Sequence, residues 1–174
     1  PMPVFLPTVC VEKVTDITLD LLRAMKVRAL ILDADNTLSS HGSQQPFPGA
    51  PEWTEQLTQA GIRLMIVSNN FEKRVAPFAA QFSLPYLSCA MKPLPVGYLR
   101  AVKRMGQGRA ATAAVGDQVF TDILGANCSG LRSILVTPQG EESALRFGWR
   151  RKLEIPVREK AKRLGLWEKW KEGM

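Results

Sequence analysis

The chain alternates between short, wholly apolar runs and longer stretches whose apolar residues recur at helical spacing. ALILD (29–33), IRLMIV (62–67), TAAVGD (112–117) and RSILVT (132–137) read as strands buried on both faces, and PYLSC (85–89) as a shorter fifth. Before the first of these, VTDITLDLLRAM places Ile17, Leu19, Leu21, Leu22 and Met25 on a helix, with Asp16 as candidate N-cap. PEWTEQLTQAG opens with Pro51 and closes with Gly61, the punctuation of a helix. Further helices are expected over about 71–82, from Pro95 to Met105, and from near Thr121. Five strands separated by helices predict an α/β fold, a Rossmann-like three-layer α/β/α sandwich around a mostly parallel five-stranded sheet.

Ligands of such sheets bind beyond the carboxyl ends of the strands. The polar residues that interrupt the apolar runs fall there: Asp33 ends the first strand, Ser68 and Asn69 the second, Asp117 the fourth, and Lys92 follows the third. An ionised carboxylate is expensive to bury unless a cation pairs with it, so LILDADNTLSSHG calls for a metal, a reaction, or both. Asp33 is placed to attack phosphorus, and Asp35 to protonate a leaving oxygen and later activate water. Mg2+ would offset the repulsion between Asp33 and Asp117. Ser68, Asn69 and main-chain N–H groups suit phosphate oxygens, with Lys92 adding a point charge. Thr37 and Asn36 are expected to shape the turn and help hold the phosphate site. A plainer reading has Asp35 and Thr37 forming a turn, and Ser68 with Asn70 capping a helix.

The order of these groups resembles the haloacid dehalogenase superfamily: DADNT matches its DxDxT motif, VSNN its Ser/Thr motif, MKP its lysine motif and GDQVFTD its acidic motif. The resemblance implies Asp33 as nucleophile and Asp35 as acid/base whose backbone carbonyl also meets Mg2+. It makes Asp117 the third metal ligand, and gives Asp122 the metal's water shell or the orientation of Lys92. It also implies strand order 3-2-1-4-5. Thirty residues separate Thr37 from Ser68 and 23 separate Ser68 from Lys92, both spans already filled by predicted elements, so no large cap domain fits. The open mouth suits a large or membrane-anchored substrate, or a neighbouring subunit acting as lid. RVAPFAAQF, AMKPLP and GDQVFTDILGAN are similar to the capless YqeG-type subfamily, which includes phosphatidylglycerophosphate phosphatases. That likeness implies a phosphorylated lipid headgroup as substrate. A soluble phosphomonoester or a nucleic-acid phosphate end is the alternative within the same chemistry. A non-catalytic basic module for RNA or protein is the alternative outside it.

Composition refines this picture. With 174 residues, 45% of them hydrophobic, one domain over 1–174 is expected, with a core over about 16–140 and a basic, Trp-containing segment over 141–174. Six of the seven net positive charges fall from Arg146 onward, where ten Arg or Lys face four Glu. That segment reads either as a solvated helical face or as a surface for anionic lipid, with Trp149, Trp167 and Trp170 at the interface. Nucleic acid is the less favoured anionic partner, and an oligomer is possible. Pro156 should split the segment into two short elements. Phe147 and the Trp residues can alternatively pack on the helical layer. No apolar run reaches the roughly 20 residues of a membrane span. PMPVFLPTVCVEK has no signal-peptide pattern, and Cys10, Cys89 and Cys128 suggest free thiols packed as small apolar residues in a reducing cytoplasm. His41 reads as a solvated loop residue. A lone His and no CxxC disfavour zinc, and the absence of GxxxxGK[ST] leaves an ATP-binding loop unsupported.

Overall fold

In the computed structural model, which describes residues 3–139 and 144–166, β2 (Ala29–Leu32) lies between β3 (Arg63–Val67) and β5 (Thr112–Gly116). Ala29 pairs with Arg63 on one side and with Thr112 on the other, and every pairing in the sheet is parallel. β4 (Tyr86–Leu87) extends the sheet beyond β3, and β6 (Arg132–Val136) beyond β5. The five predicted strands therefore stand in the predicted order. A sixth was not foreseen: β1 (Val9–Val11) pairs with β6, placing Val9 beside Ile134. Three residues are too few to display a period, so tertiary pairing rather than pattern makes this strand.

Alternate strand residues supply opposite faces, as the pleat requires. Leu30, Leu32, Leu64, Ile66 and Val115 pack with Leu22, Trp53, Leu57 and Phe78. These come from α1 (Leu19–Ala24), α2 (Ala50–Gln59) and α3 (Glu72–Ala80). Ile31, Met65, Val67 and Ala114 face Tyr98, Val102 and Met105 of α4 (Pro95–Met105) and Ala126 of α5 (Leu124–Cys128). Gly125 is required at the α4–α5 contact, because a Cβ there would lie 2.4 Å from the Tyr98 ring. A third cluster joins Cys10 and Leu135 to Val119, Ile123 and Ala161 of α6 (Ala144–Arg163).

Three local expectations are corrected. The N-cap of α1 is Thr18, whose hydroxyl accepts from the Leu21 N–H at 3.2 Å. Asp16 ends a preceding 3-10 turn, where its carboxylate accepts from the Lys13 N–H. Pro156 does not divide the C-terminal segment: α6 runs through it. A helix-interior proline forfeits one backbone hydrogen bond, but Arg151 and Glu154 before Pro156 and Arg158 after it are hydrogen-bonded to Asp117 and Val119 just beyond β5, and the ring faces solvent. Of the cysteines, Cys10 alone is buried, its thiol pushed up to about 12 by burial, while Cys89 and Cys128 are exposed and free. Trp149 is 61% exposed, and the side chains of Phe147, Trp167 and Trp170 lie outside the described set. Among the described residues no helix is long and apolar enough to cross a membrane.

Leu30 is fully buried on the central strand. Leu30→Ala is expected to lower unfolding stability by about 3 kcal/mol, read as a lower urea midpoint at unchanged slope.

Candidate active site

Each predicted strand-end residue lies at the carboxyl edge of the sheet. Asp33 continues β2, its N–H donating to the Val115 carbonyl at 3.0 Å, and Ser68 continues β3, its N–H donating to the Leu87 carbonyl at 2.9 Å. Asp117 follows β5 and is fully buried. Lys92 enters from the loop between β4 and α4. Its ammonium donates to Asp33 Oδ1 and to Asp122 Oδ1, both at 2.7 Å. The sequence left two roles open for Asp122, and the geometry shows the contact with Lys92.

Two devices hold this bridge. The Asn69 side-chain amide donates to the Lys92 carbonyl at 3.0 Å and its oxygen accepts from the Lys92 N–H at 2.7 Å. Asn69, expected to help hold phosphate, brackets the lysine through both ends of its amide. On the other side, Val119–Ile123 forms a π-helical turn that carries Asp122 back over the end of β5. A Cβ at Gly116 would lie 2.2 Å from the Asp122 carboxyl carbon, so only glycine admits this approach. Asp122 Oδ2 also accepts from the Gln118 N–H.

Asp33, Asp117 and Asp122 each offer one carboxylate oxygen within 4.8 Å of the others. Burial first, then the nearness of Asp122, pushes the Asp33 carboxyl well above the usual range, against the pull of Lys92. Burial likewise opposes the charge on Lys92, yet Asp122 and Asp33 together hold its ammonium well above the ordinary lysine value. Three hard oxygen donors around a surplus of negative charge fit a divalent ion such as Mg2+. His and Cys take no part in this cluster.

Asp35 sits apart from the cluster. Its Oδ1 accepts from Arg74 Nη2 at 2.7 Å and from the Gly42 N–H at 3.0 Å, and its Oδ2 from Asn70 Nδ2 at 2.7 Å. Burial alone would raise its carboxyl, but Gly42, Arg74 and Asn70 outweigh that and hold it below the usual range. Arg74 also donates to the carbonyls of Gly42 and Ser43, tying down the loop after Asp33. His41 is exposed, with Nδ1 3.9 Å from Asp35 Oδ2. Asn36 adopts φ 57° and its side chain accepts from the His41 N–H, shaping the turn as expected. Thr37 is buried, and its hydroxyl has no hydrogen-bond partner among the described atoms. The helix-capping reading of Ser68 and Asn70 is corrected: the N-cap of α3 is Phe71, which has no side-chain cap, and Ser68 Oγ accepts from the Asn70 N–H at 3.1 Å in the turn before it.

Sequence reasoning missed the partners that come from afar. Arg151 of α6 donates through Nη2 to Asp117 Oδ2 at 2.5 Å and through Nη1 to the Asp117 carbonyl at 2.9 Å. Arg158 Nη2 donates to the same carbonyl at 2.6 Å. Glu154, 2% exposed, accepts from both guanidinium groups and from the Val119 N–H. The only signal in the sequence was an R-x-x-E spacing inside a basic stretch. Arg74 had no signal beyond its place on a helix after Ser68.

A parallel α/β sheet with an aspartate, a serine, a lysine and two further aspartates at adjoining strand ends defines a class of hydrolytic phosphoryl-transfer folds. Residues 19–130 match the family described as haloacid dehalogenase-like hydrolase, and the chain belongs to that family. It is 34% identical over 166 residues to "Probable phosphatase YqeG" of Bacillus subtilis (strain 168), covering 94% of this chain and 96% of that protein. Among solved structures it is similar to the cobalt-bound deoxy-D-mannose-octulosonate 8-phosphate phosphatase YrbI of Haemophilus influenzae. There the TM-score is 0.55 at 14% identity, over 79% of this chain and 89% of that one. It is also similar to NagD of E. coli K-12, with a TM-score of 0.56 at 15% identity, over 67% and 90% of the two chains. At such identities the two structures speak for the fold.

The depressed Asp35 carboxyl fixes the sign of a pH effect. A carboxylate held below its unfolded value, about 4, contributes stability that is present at neutral pH and is lost as pH falls through its folded value. Asp35→Asn should therefore be less stable than the parent at pH 7, and the gap between their urea midpoints should close as the solution is acidified. A gap that widens on acidification would contradict the Arg74 and Asn70 contacts.

Proposed function

We propose that the protein is a Mg2+-dependent phosphomonoester hydrolase whose nucleophile is Asp33, acting on the terminal phosphate of phosphatidylglycerophosphate. The observation that carries the chemistry is Lys92 bridging Asp33 and Asp122 beside Asp117. It gathers one nucleophile, one cation for the phosphate and a set of metal donors within a single buried cluster.

Asp33 and Asp117, with the main-chain carbonyl of Asp35, would hold the ion, and Asp122 would support its water shell while orienting Lys92. When bound, Mg2+ supplies charge neutralisation for the phosphate and for the crowded carboxylates. An Asp33 oxygen forms a bond to phosphorus as the bond to the leaving oxygen breaks. Asp35 gives that oxygen its proton. Water then attacks the aspartyl phosphate, the Asp33–phosphorus bond breaks, and Asp35 takes back the proton. The products are the alcohol and inorganic phosphate. Asp35 in its Arg74-bound form is the carboxylate, which suits the hydrolytic half; the acid form requires release from Arg74. Lys92, Ser68, Thr37 and the main chain at Asn69 receive the phosphate oxygens.

The lipid assignment draws on the surroundings of the mouth. The two spans where a lid domain could be inserted hold only α2 with β3 and α3 with β4. Exposed Phe71 follows the Ser68–Asn70 turn, and exposed Met91 and Leu94 flank Lys92, so apolar side chains stand beside the phosphate site. A cavity of about 270 Å³ lined by Val14, Thr15, Thr37 and Phe47 adjoins the turn after Asp33 and offers room for part of a headgroup. Contact with lipid at this rim would make the protein peripheral to the cytoplasmic face of a membrane.

The test is phosphate release measured as kcat/KM across phosphatidylglycerophosphate in mixed micelles, sugar phosphates, nucleotides and 5′-phosphorylated DNA. The lipid should lead the panel, activity should vanish with EDTA and return with Mg2+, and folded Asp33→Asn should fall by at least about 10³-fold. A soluble phosphomonoester in first place would sink the lipid assignment, and full activity in Asp33→Asn would sink the mechanism.

A further inference from the structure

The three clustered carboxylates are held by two different cations. Lys92 takes one oxygen of Asp33 and one of Asp122. Asp117 instead meets the guanidinium of Arg151, which forks so that one nitrogen reaches the side chain and the other the main-chain carbonyl of the same residue. Arg158 binds that carbonyl as well. Glu154 steadies both arginines and pins the Val119 N–H, two residues beyond Asp117. The side chains of Arg151 and Arg158 are 21% and 23% exposed and Glu154 is buried, so these bonds lie largely out of water. α6 therefore grips both the backbone and the carboxylate of Asp117, and a carboxylate held this way at Oδ2 cannot rotate freely.

We infer that Arg151, braced by Glu154 and Arg158, is a positioning residue that restricts Asp117 to offering a divalent ion a single oxygen, and thereby makes the site prefer Mg2+ to Ca2+. The inference rests on the metal site proposed above. The two ions differ in what they ask of a carboxylate. Ca2+ takes about six to eight oxygens at roughly 2.3–2.6 Å and readily uses both oxygens of one carboxylate, whereas Mg2+ takes six at about 2.0–2.1 Å and keeps several waters. Occupying one Asp117 oxygen removes a ligand that Ca2+ can use and Mg2+ does not need. The positive charge of Arg151 repels both ions alike, because both carry the same charge, so it cancels from their ratio. Orientation is what remains in that ratio.

The experiment is competition against Mn2+, followed by the EPR signal of free Mn2+, with the metal-free protein over residues 1–174 and either Mg2+ or Ca2+ as competitor. The folding of each variant is checked by circular dichroism. Relative to the parent, Arg151→Gln should shift the Mg2+/Ca2+ preference toward Ca2+ by about tenfold, the scale at which partners of metal ligands act. Arg151→Lys keeps the charge but cannot reproduce the fork, so it should shift in the same direction. Leu153→Ala, on the exposed side of α6, should leave the ratio unchanged. Folded Arg151 variants with the parental ratio would overturn the inference and leave α6 a purely structural staple. A parent protein that binds no Mn2+ would instead overturn the metal site itself, and the inference with it.

Discussion

Charge buried at the carboxyl end of the sheet is the constraint that the rest of the molecule serves. Asp33, Asp117 and Asp122 converge within 4.8 Å, where three carboxylates repel one another and have little water to screen them. Lys92 answers part of that repulsion with two charge-assisted hydrogen bonds. Much of the local backbone exists to keep it there. The Asn69 bracket fixes the lysine's main chain, the π-helical turn returns Asp122 to the site, and Gly116 leaves room for it. Breaking the lysine bridge would leave buried charge uncompensated, the most damaging kind of loss in such a network.

Cations also bind the periphery of the site to its centre. Arg74 joins α3 to Asp35 and to the loop after Asp33, while Arg151 and Arg158 join α6 to Asp117. The ends of β2 and β5 are thereby fastened from opposite sides of the site. The same residues that make the site negative enough for a metal also recruit the helices that enclose it, so stability and chemistry draw on one set of contacts.

The sheet was legible because its strands are buried on both faces and therefore uniformly apolar; β2, β3, β5 and β6 stand out for that reason. The strand-end acids were legible because a carboxylate directly after such a run has no structural excuse. β1 escaped because three residues carry no period. The continuity of α6 escaped because proline reads locally as a break, whereas Arg151, Glu154 and Arg158 anchor the helix on both sides of it through contacts 34 to 41 residues away in sequence. The basic C-terminal stretch read as one surface, either solvated or facing an anion, but two of its arginines turn inward. Locally only the R-x-x-E spacing to Glu154 separates Arg151 from Arg150, whose guanidinium lies 5.3 Å from the Trp149 ring. Only the fold reveals which of them meets a carboxylate.

Whether this buried cluster makes Asp33 a phosphoryl acceptor can be read by quenching the protein in acid during turnover with Mg2+ and substrate and mapping its peptides by mass spectrometry. The peptide bearing Asp33 should carry the added mass of one phosphoryl group, discharged by hydroxylamine and absent from Asp33→Asn. Steady turnover with that peptide unmodified, or with the phosphoryl group on another residue, would contradict that role.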